Sequence, residues 1–327
     1  MFKIVTATLV ALALTSPAPA QESPDAWPSR PITLVVPFAA GGGNDVLARI
    51  IAQPLSDILK QPVVIENVAG AGGMTGANRV ARAAPDGHTA GLGTVGSHAF
   101  NQTLYKRPLY DAANDFAPVA MIADQPLLLV ARKDLPANNL QEFAAYAKAN
   151  QDKMQHGSAG VGSATHLGCL VFNAAIGVNI THIPYKGGAP AMTDLIAGRI
   201  DYWCPFSTTA MPQIKGDTVK PIALLALRRL DVLPGLATAH EQGLANFEAS
   251  TWNALFLPKG TPPAIVQKLY NAVVQAVATP QVRQRLNELG MSPAAPDRRS
   301  PEFLAKFIPA EIEKWAAPIR ASGISVD

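Results

Sequence analysis

Apolar and polar positions along the chain switch between two periods. Ile32–Phe38 is a short β-branched run of the kind that makes a strand buried on both faces. Gly41-Gly42-Gly43 breaks it, and Asn44-Asp45 stand where a helix cap belongs. Leu47, Ile50, Ile51, Leu55, Ile58 and Leu59 then recur at helical spacing, with Pro54 expected to kink or split the helix. Pro62–Asn67 predicts a second strand. Gly70–Gly73 and Thr75 lead into a helix carrying Ala77, Val80 and Ala81. Pro85-Asp86-Gly87 turns the chain into a third strand at Thr89–Thr94.

A second series opens at Leu127–Val130, followed by a helix over Leu140–Ala149. After the glycine-rich Gly157–Ser163, the residues Leu167, Leu170, Val171, Ala174 and Ala175 mark one helical face, with Gly177 as its left-handed terminator. Strands are expected at Ile180–Tyr185, Arg199–Cys204, Pro221–Leu227 and Ala249–Leu257, and a helix at Gly188–Ala197 closed by Gly198. The rest reads as helices: one opened by Pro262-Pro263, one over Gln281–Leu289, and one from Pro301 to Arg320 interrupted at Pro309 and Pro318. Strand–helix–strand units imply an α/β fold with mostly parallel sheets and helices on both faces. A length of 327 residues suits two domains. The segments 38–45 and 157–163 are both glycine-rich strand-to-helix turns. Such turns aim unpaired amides and a positive helix end at one point, so two of them suggest an anion held between lobes.

The first twenty residues follow other rules. Met1-Phe2-Lys3 is a short positive start, Ile4–Leu14 an apolar run, and Thr15–Ala20 ends in Ala-Pro-Ala. These are the three parts of a secretory signal, cleaved after Ala20, and the apolar run is too short to span a bilayer. The expected product is exported and periplasmic. In that oxidising compartment Cys169 and Cys204 form either one disulfide or two buried thiols.

Composition narrows the chemistry. At 48% hydrophobic and 16% charged, the chain supports a packed core. A net charge of +3, with no long Lys/Arg block and only 6% aromatics, argues against nucleic acid. Neither the two cysteines nor His88, His98, His156, His166, His182 and His240 make a zinc motif, and no phosphate-binding P-loop or dinucleotide fingerprint occurs. No metal or cofactor is therefore expected. His156–Gly160 lies one residue off the nucleophile-elbow pattern, so a secreted hydrolase using Ser158 is a rival reading.

Each candidate residue carries two readings. Ala39–Gly43 is an anion loop or a tight turn. Asp45 binds a polar ligand group, or caps its helix and pairs with Arg49. Ser97 follows the third strand, either at a cleft or as plain structure. Ser158, Ser163 and Thr165 are caps or donors to a carboxylate. His166, beside the apolar stripe, reads better as a packed histidine. Lys186 is a counter-charge or a solvated one, and Asp201 an acceptor for a ligand amine or hinge-side structure. Trp203 and Trp252 are core residues or stacking platforms.

Several segments together resemble one known family. They are Val36–Gly42 with Asp45 and Ala48-Arg49; Pro62–Asn67 with Gly70–Gly73; Pro85-Asp86-Gly87; and Asp115–Val119. Gly157–Ser163 with His166-Leu167, Ile183–Gly187, Gly198–Asp201 and Pro258–Pro262 continue the series. In this order they resemble the Bug receptors, the TctC-like solute-binding components of tripartite tricarboxylate transporters. The resemblance implies a two-lobed type II periplasmic-binding-protein fold with a cleft between lobes and hinge closure. It implies lobe 1 at 21–123 and 247–327 and lobe 2 at 124–246, with crossings near Ala123–Gln125 and Asn246–Glu248. Matched position by position, it assigns Phe38, Ala39, Ala40, Gly41, Gly42, Asp45 and Ser97 of lobe 1 to the ligand. From lobe 2 it assigns Ser158, Gly160, Gly162, Ser163, Thr165, Tyr185, Lys186, Gly187, Gly188 and Asp201. The implied partner is a mono-, di- or tricarboxylate, bound without chemistry by a monomer that serves a membrane permease or a sensor kinase. Trp203–Phe206 is bulkier than the family pattern, which admits an aromatic acid.

Overall fold

The computed structural model describes residues 26–321 and 324–327. The expected signal segment lies outside them. β1 (Ile32–Val36) forms from the first apolar run, with Ile32, Leu34 and Val36 buried on one face and Val35 on the other. α1 (Gly43–Leu59) follows, and its Leu47, Ile51 and Leu55 pack over the first of those faces. β2 (Val63–Asn67), α2 (Met74–Ala81) and β3 (Thr89–Thr94) complete a parallel triplet in the order β2-β1-β3. A π turn at Gly96–Phe100 leads into α3 (Asn101–Leu104).

β4 (Phe116–Arg132) is the long element of the fold at 17 residues. α4 (Leu140–Asn150), β5 (Gln155–Ser158), α5 (Ala164–Ile176), β6 (Thr181–Pro184), α6 (Gly188–Ile196) and β7 (Tyr202–Trp203) give a second parallel triplet, β7-β5-β6. α7 (Ser207–Lys215) and β8 (Val219–Leu225) follow. β9 (Ser250–Pro258), α8 (Pro263–Ala278), α9 (Pro280–Glu288), β10 (Ser292–Pro293) and α10 (Pro301–Ala321) return to the first half.

The two triplets meet through antiparallel strands, so the sheet is mixed at its centre. Its path is β2-β1-β3-β9-β4-β7-β5-β6, with β8 and β10 also on β4. Residues 116–126 of β4 pair with β9, and 127–132 pair with β8, while Val130 and Ala131 also meet β7. One strand thus serves both lobes. Apolar side chains cover both faces. One core lies between α1, α8 and the first half of the sheet; the other runs from α2 and the π turn into the second half.

Three local expectations fail. α1 continues through Pro54, and α10 through Pro309 and Pro318, without a split. Each proline removes one donor from a helix that packing on the sheet already holds. β4 begins eleven residues before Leu127; Pro118 and Asp124 hide that part, and register shifts at 118–120 and 121–123 accommodate it. α7 is also an element that the periodicity does not reveal. Cys169 on α5 and Cys204 after β7 form a disulfide with a Cα–Cα distance of 5.4 Å. Among the described residues no helix is long and apolar enough to cross a membrane.

Candidate functional site

The C-terminal ends of β1 and β5 each run into a glycine-rich turn and then a helix. α1 and α5 therefore point their first-turn amides, which have no carbonyl of their own helix to bond, at the seam between lobes.

In lobe 1 a buried carboxylate shapes the loop. Asp45 Oδ2 accepts from the Gly41 N–H at 2.9 Å and from Arg49 Nε at 2.9 Å. Its Oδ1 accepts from Arg49 Nη2 and Asn67 Nδ2, each at 3.0 Å. Asn67 also donates to the Phe38 carbonyl. Burial pushes the Asp45 carboxyl up, but the hydrogen bonds from Arg49, Gly41 and Asn67 and the Arg49 charge outweigh it, so the group lies below the usual carboxylate range. Asp45 is therefore spent inside its own loop.

In lobe 2 the equivalent loop is held by neutral groups. Ser158 Oγ accepts from the Gly160 N–H at 3.0 Å and lies 2.7 Å from His182 Nε2. Thr165 Oγ1 accepts from the Ala159 N–H, and Ser163 caps α5 through the His166 N–H while donating to the Gly160 carbonyl. His166 Nδ1 accepts from the Gly162 N–H at 3.3 Å. The rings of His156, His182 and His166 stack in that order, with centroids 4.9 and 4.1 Å apart. Burial holds His156 and His166 down to about 3 and His182 to about 4, so all three are neutral and Nε2 of His182 can accept the Ser158 proton.

The lobes are shut against each other. The Ala39 N–H donates across the seam to the Lys186 carbonyl at 3.1 Å. A Cβ on Gly187 would lie 2.9 Å from Ala39 N, and one on Gly42 would lie 3.3 Å from Gly188 N. Side chains at Gly43 or Gly72 would overlap Thr208 Oγ1 or the Val161 carbonyl. Only glycine permits this approach of two backbones. Thr209 Oγ1 is buried without a hydrogen-bond partner, 3.1 and 3.5 Å from the Cβ positions of Gly43 and Gly188.

The structure thus gathers Phe38, Ala39, Ala40, Gly41 and Gly42 on one side, and Ser158, Gly160, Gly162, Ser163, Thr165, Tyr185, Lys186, Gly187 and Gly188 on the other. Several side chains do not face the seam as expected. The Ser97 hydroxyl is fully buried among Thr94 and His98. Tyr185 donates its hydroxyl to Asp194, and the exposed Lys186 serves the seam through its carbonyl. Asp201 is a clear correction. It accepts from Arg132 Nε and from the Gln155 N–H at the N-terminal ends of β5 and β7, the far side from the loops. Sequence order marks it as a strand end but not which end faces the cleft. Trp203 is wholly buried, its ring edge 3.3 Å from the Cβ position of Gly188. The sequence reading left Thr208, Thr209 and His182 out of the site, and it placed Gly43 in the anion loop and Gly72 in the Gly70–Gly73 turn without their close contacts; the Ser-Thr-Thr run at 207–209 was the available sign of a helix start.

The charged side chains within 38–49, 158–165 and 185–188 are Asp45, Arg49 and Lys186. The seam therefore offers an anion amides and hydroxyls, with Lys186 as the one basic side chain of the lobe 2 segments. Ser158 and His182 approach like a catalytic pair. Yet Ser158 is fully buried, and among the described residues no carboxylate is hydrogen-bonded to His182 to orient it as a base.

Comparison with known proteins agrees with this geometry. Residues 47–324 match the tripartite tricarboxylate transporter family receptor. The periplasmic binding protein BugD superposes with a TM-score of 0.88 at 38% identity, covering 91% of this chain and 99% of BugD. MatC from Rhodopseudomonas palustris, with bound malate, gives 0.86 at 40% identity over 90% of this chain and 100% of MatC. A second R. palustris protein, with adipate, gives 0.87 at 35% identity, covering 91% and 99%. The two-lobed fold, the paired loops and these likenesses agree on a solute-binding receptor rather than an enzyme: the chain belongs to the TctC/Bug family of tripartite tricarboxylate transporter receptors.

Proposed function

We propose that the chain is a periplasmic receptor that captures a small organic carboxylate between segments 38–45 and 158–165. It then passes the acid to a tripartite tricarboxylate-type permease. The observation that carries this reading is the pair of facing strand-to-helix loops. Their first-turn amides converge on a seam where glycines let the two backbones meet. A carboxylate is held by amides and by hydroxyls such as that of Thr209, and the exposed Lys186 stands in the lobe 2 segment that lines the seam. MatC with malate and the R. palustris protein with adipate support an acid of similar size. Lobe 2 spans 124–246 and closes on the remainder by bending β4 and the stretch entering β9. The chain is exported, and its signal is cleaved after Ala20.

A thermal-shift panel of mono-, di- and tricarboxylates, aromatic acids included, tests the reading. A bound acid at a hundred times its Kd adds about 2.7 kcal/mol by mass action and raises Tm. If no acid shifts Tm while a neutral sugar does, the carboxylate reading fails.

A further inference from the structure

Beneath the seam runs a single file of buried side-chain hydrogen bonds that crosses β4, the strand shared by the lobes, and β9 beside it. Thr208 Oγ1 donates to Gln125 Oε1 at 3.0 Å, Gln125 Nε2 donates to Asn253 Oδ1 at 2.9 Å, and Asn253 Nδ2 donates to Asn44 Oδ1 at 3.0 Å. All four residues are at most 3% exposed. Every bond in the file points the same way. Gln125 and Asn253 each accept from the lobe 2 side and donate toward lobe 1, and Asn44 ends the file as an acceptor.

Sheet geometry places the middle of the file. Ala123 of β4 lies opposite Asn253 of β9, and Gln125 lies opposite Thr251. Gln125 and Asn253 are thus diagonal neighbours on one face of the pair, within reach of a long amide. The ends belong to the two binding elements. Thr208 sits in the first turn of α7, where its hydroxyl lies against Gly43 of the lobe 1 loop. Asn44 sits in the first turn of α1, beside that same glycine. The file therefore closes a circuit. The two helix starts touch directly across the seam, and they are also joined through side chains of β4 and β9. Rotating one lobe from the other separates Thr208 from Gly43 and stretches the Thr208–Gln125 bond, the link of the file that reaches α7, leaving Gln125 short of a donor. A buried amide left half-satisfied is unfavourable, so the file favours the geometry in which all its members are paired.

We propose that Thr208, Gln125, Asn253 and Asn44 act as a closure relay. They are positioning residues that make the shut arrangement of the lobes favourable and so slow ligand release. This rests on the receptor reading for its ligand but not for its test. A relay acts on the closed state, so breaking it speeds dissociation more than it slows association.

The variants are Thr208→Val, which removes only the donor; Thr208→Ser, which restores it; and Gln125→Met, which removes the centre of the file away from any ligand. Stopped-flow tryptophan fluorescence with malate and with adipate reads the rates. The expected result for Thr208→Val and Gln125→Met is dissociation about tenfold faster, with association within about twofold. Thr208→Ser returns to the parent rate. The double variant Thr208→Val/Gln125→Met is no worse than either single one, because both cut the same file. If Gln125→Met releases ligand at the parent rate, or if the two effects add in full, Thr208 acts alone and the relay is wrong. If neither acid binds the parent protein, that counts against the choice of acids, and lobe closure still decides the relay. Dyes on Asp57→Cys and Lys148→Cys, exposed positions on α1 and α4, report the inter-lobe distance in the free protein. Gln125→Met must shift that distribution toward the open side, and an unchanged distribution overturns the proposal.

Discussion

The two loops that face each other do one job with opposite electrostatics. The lobe 1 loop is drawn around a charge: Asp45 gathers Gly41, Asn67 and Arg49. The lobe 2 loop is drawn around neutral groups: Ser158, Thr165 and three stacked imidazoles held uncharged by burial. Both leave the backbone amides at the helix start directed at the seam. The comparison teaches that the binding geometry belongs to the backbone and that the side chains behind it are interchangeable solutions to the same holding problem. It also means that the loops fail under different conditions.

The largest effect is expected from Asp45→Ala. It leaves the Gly41 N–H without its acceptor and the Asn67 amide with only the Phe38 carbonyl, while the half-exposed Arg49 returns to water. We expect a loss of about 2 kcal/mol in urea unfolding. Affinity for a bound acid should fall about tenfold, since the loop must then be ordered on binding. An affinity unchanged by Asp45→Ala would remove the carboxylate from its organising role.

Acid separates the two loops next. The histidines titrate near 6.5 in the unfolded chain but near 3 to 4 when folded, so the unfolded state binds more protons throughout that interval. Stability therefore falls as pH drops from about 6.5 toward 3 to 4, and the buried His98 of lobe 1 adds to the global slope. Asp45 has the reverse sense. Its folded pKa is lowered from 3.8, so its contribution is complete above that value and is lost only as pH falls further, through the lowered pKa. Between pH 6 and 4.5 (about the middle of the histidine window), hydrogen exchange at Gly160 and Gly162 should quicken relative to Gly41. Equal acceleration at the three amides would mean that the loops do not differ.

A smaller change is expected from Ser158→Ala. It strips Gly160 of its acceptor and His182 of its donor, for about 1 kcal/mol and a modest loss of affinity. The smallest is Asp201→Asn, which weakens the contacts to Arg132 and Gln155. Stability should fall by about 1 kcal/mol or less with affinity unchanged, because the group lies at the far end of its strand. A loss of affinity there would return Asp201 to the site.

What the sequence made legible follows from the range of each signal. The glycine turns at 41–43 and 160–162, the cap at Ser163 and the stop at Gly177 are local, and they stand where the pattern predicts. The prolines inside α1 and α10 were misread because a local penalty was outweighed by packing on the sheet. The pairing of Ser158 with His182, and of Gln125 with Asn253, joins residues 24 and 128 positions apart. No periodicity carries such information. Asp201 went astray for the same reason: only the parallel register of β5 and β7 shows which strand end meets the cleft.

β4 has a consequence for how this chain can be rebuilt. One continuous strand supplies an edge to both halves, and the return crossing is tied down where it enters β9, Ala249 donating to the Leu225 carbonyl and accepting from the Leu127 N–H. The lobes are therefore not cassettes that recombination could exchange among relatives by cutting at a linker. A cut near residue 126 would leave each fragment with a torn strand and exposed backbone donors and acceptors, an open invitation to misassociate with other chains. Changes within the loops, by contrast, leave that frame intact.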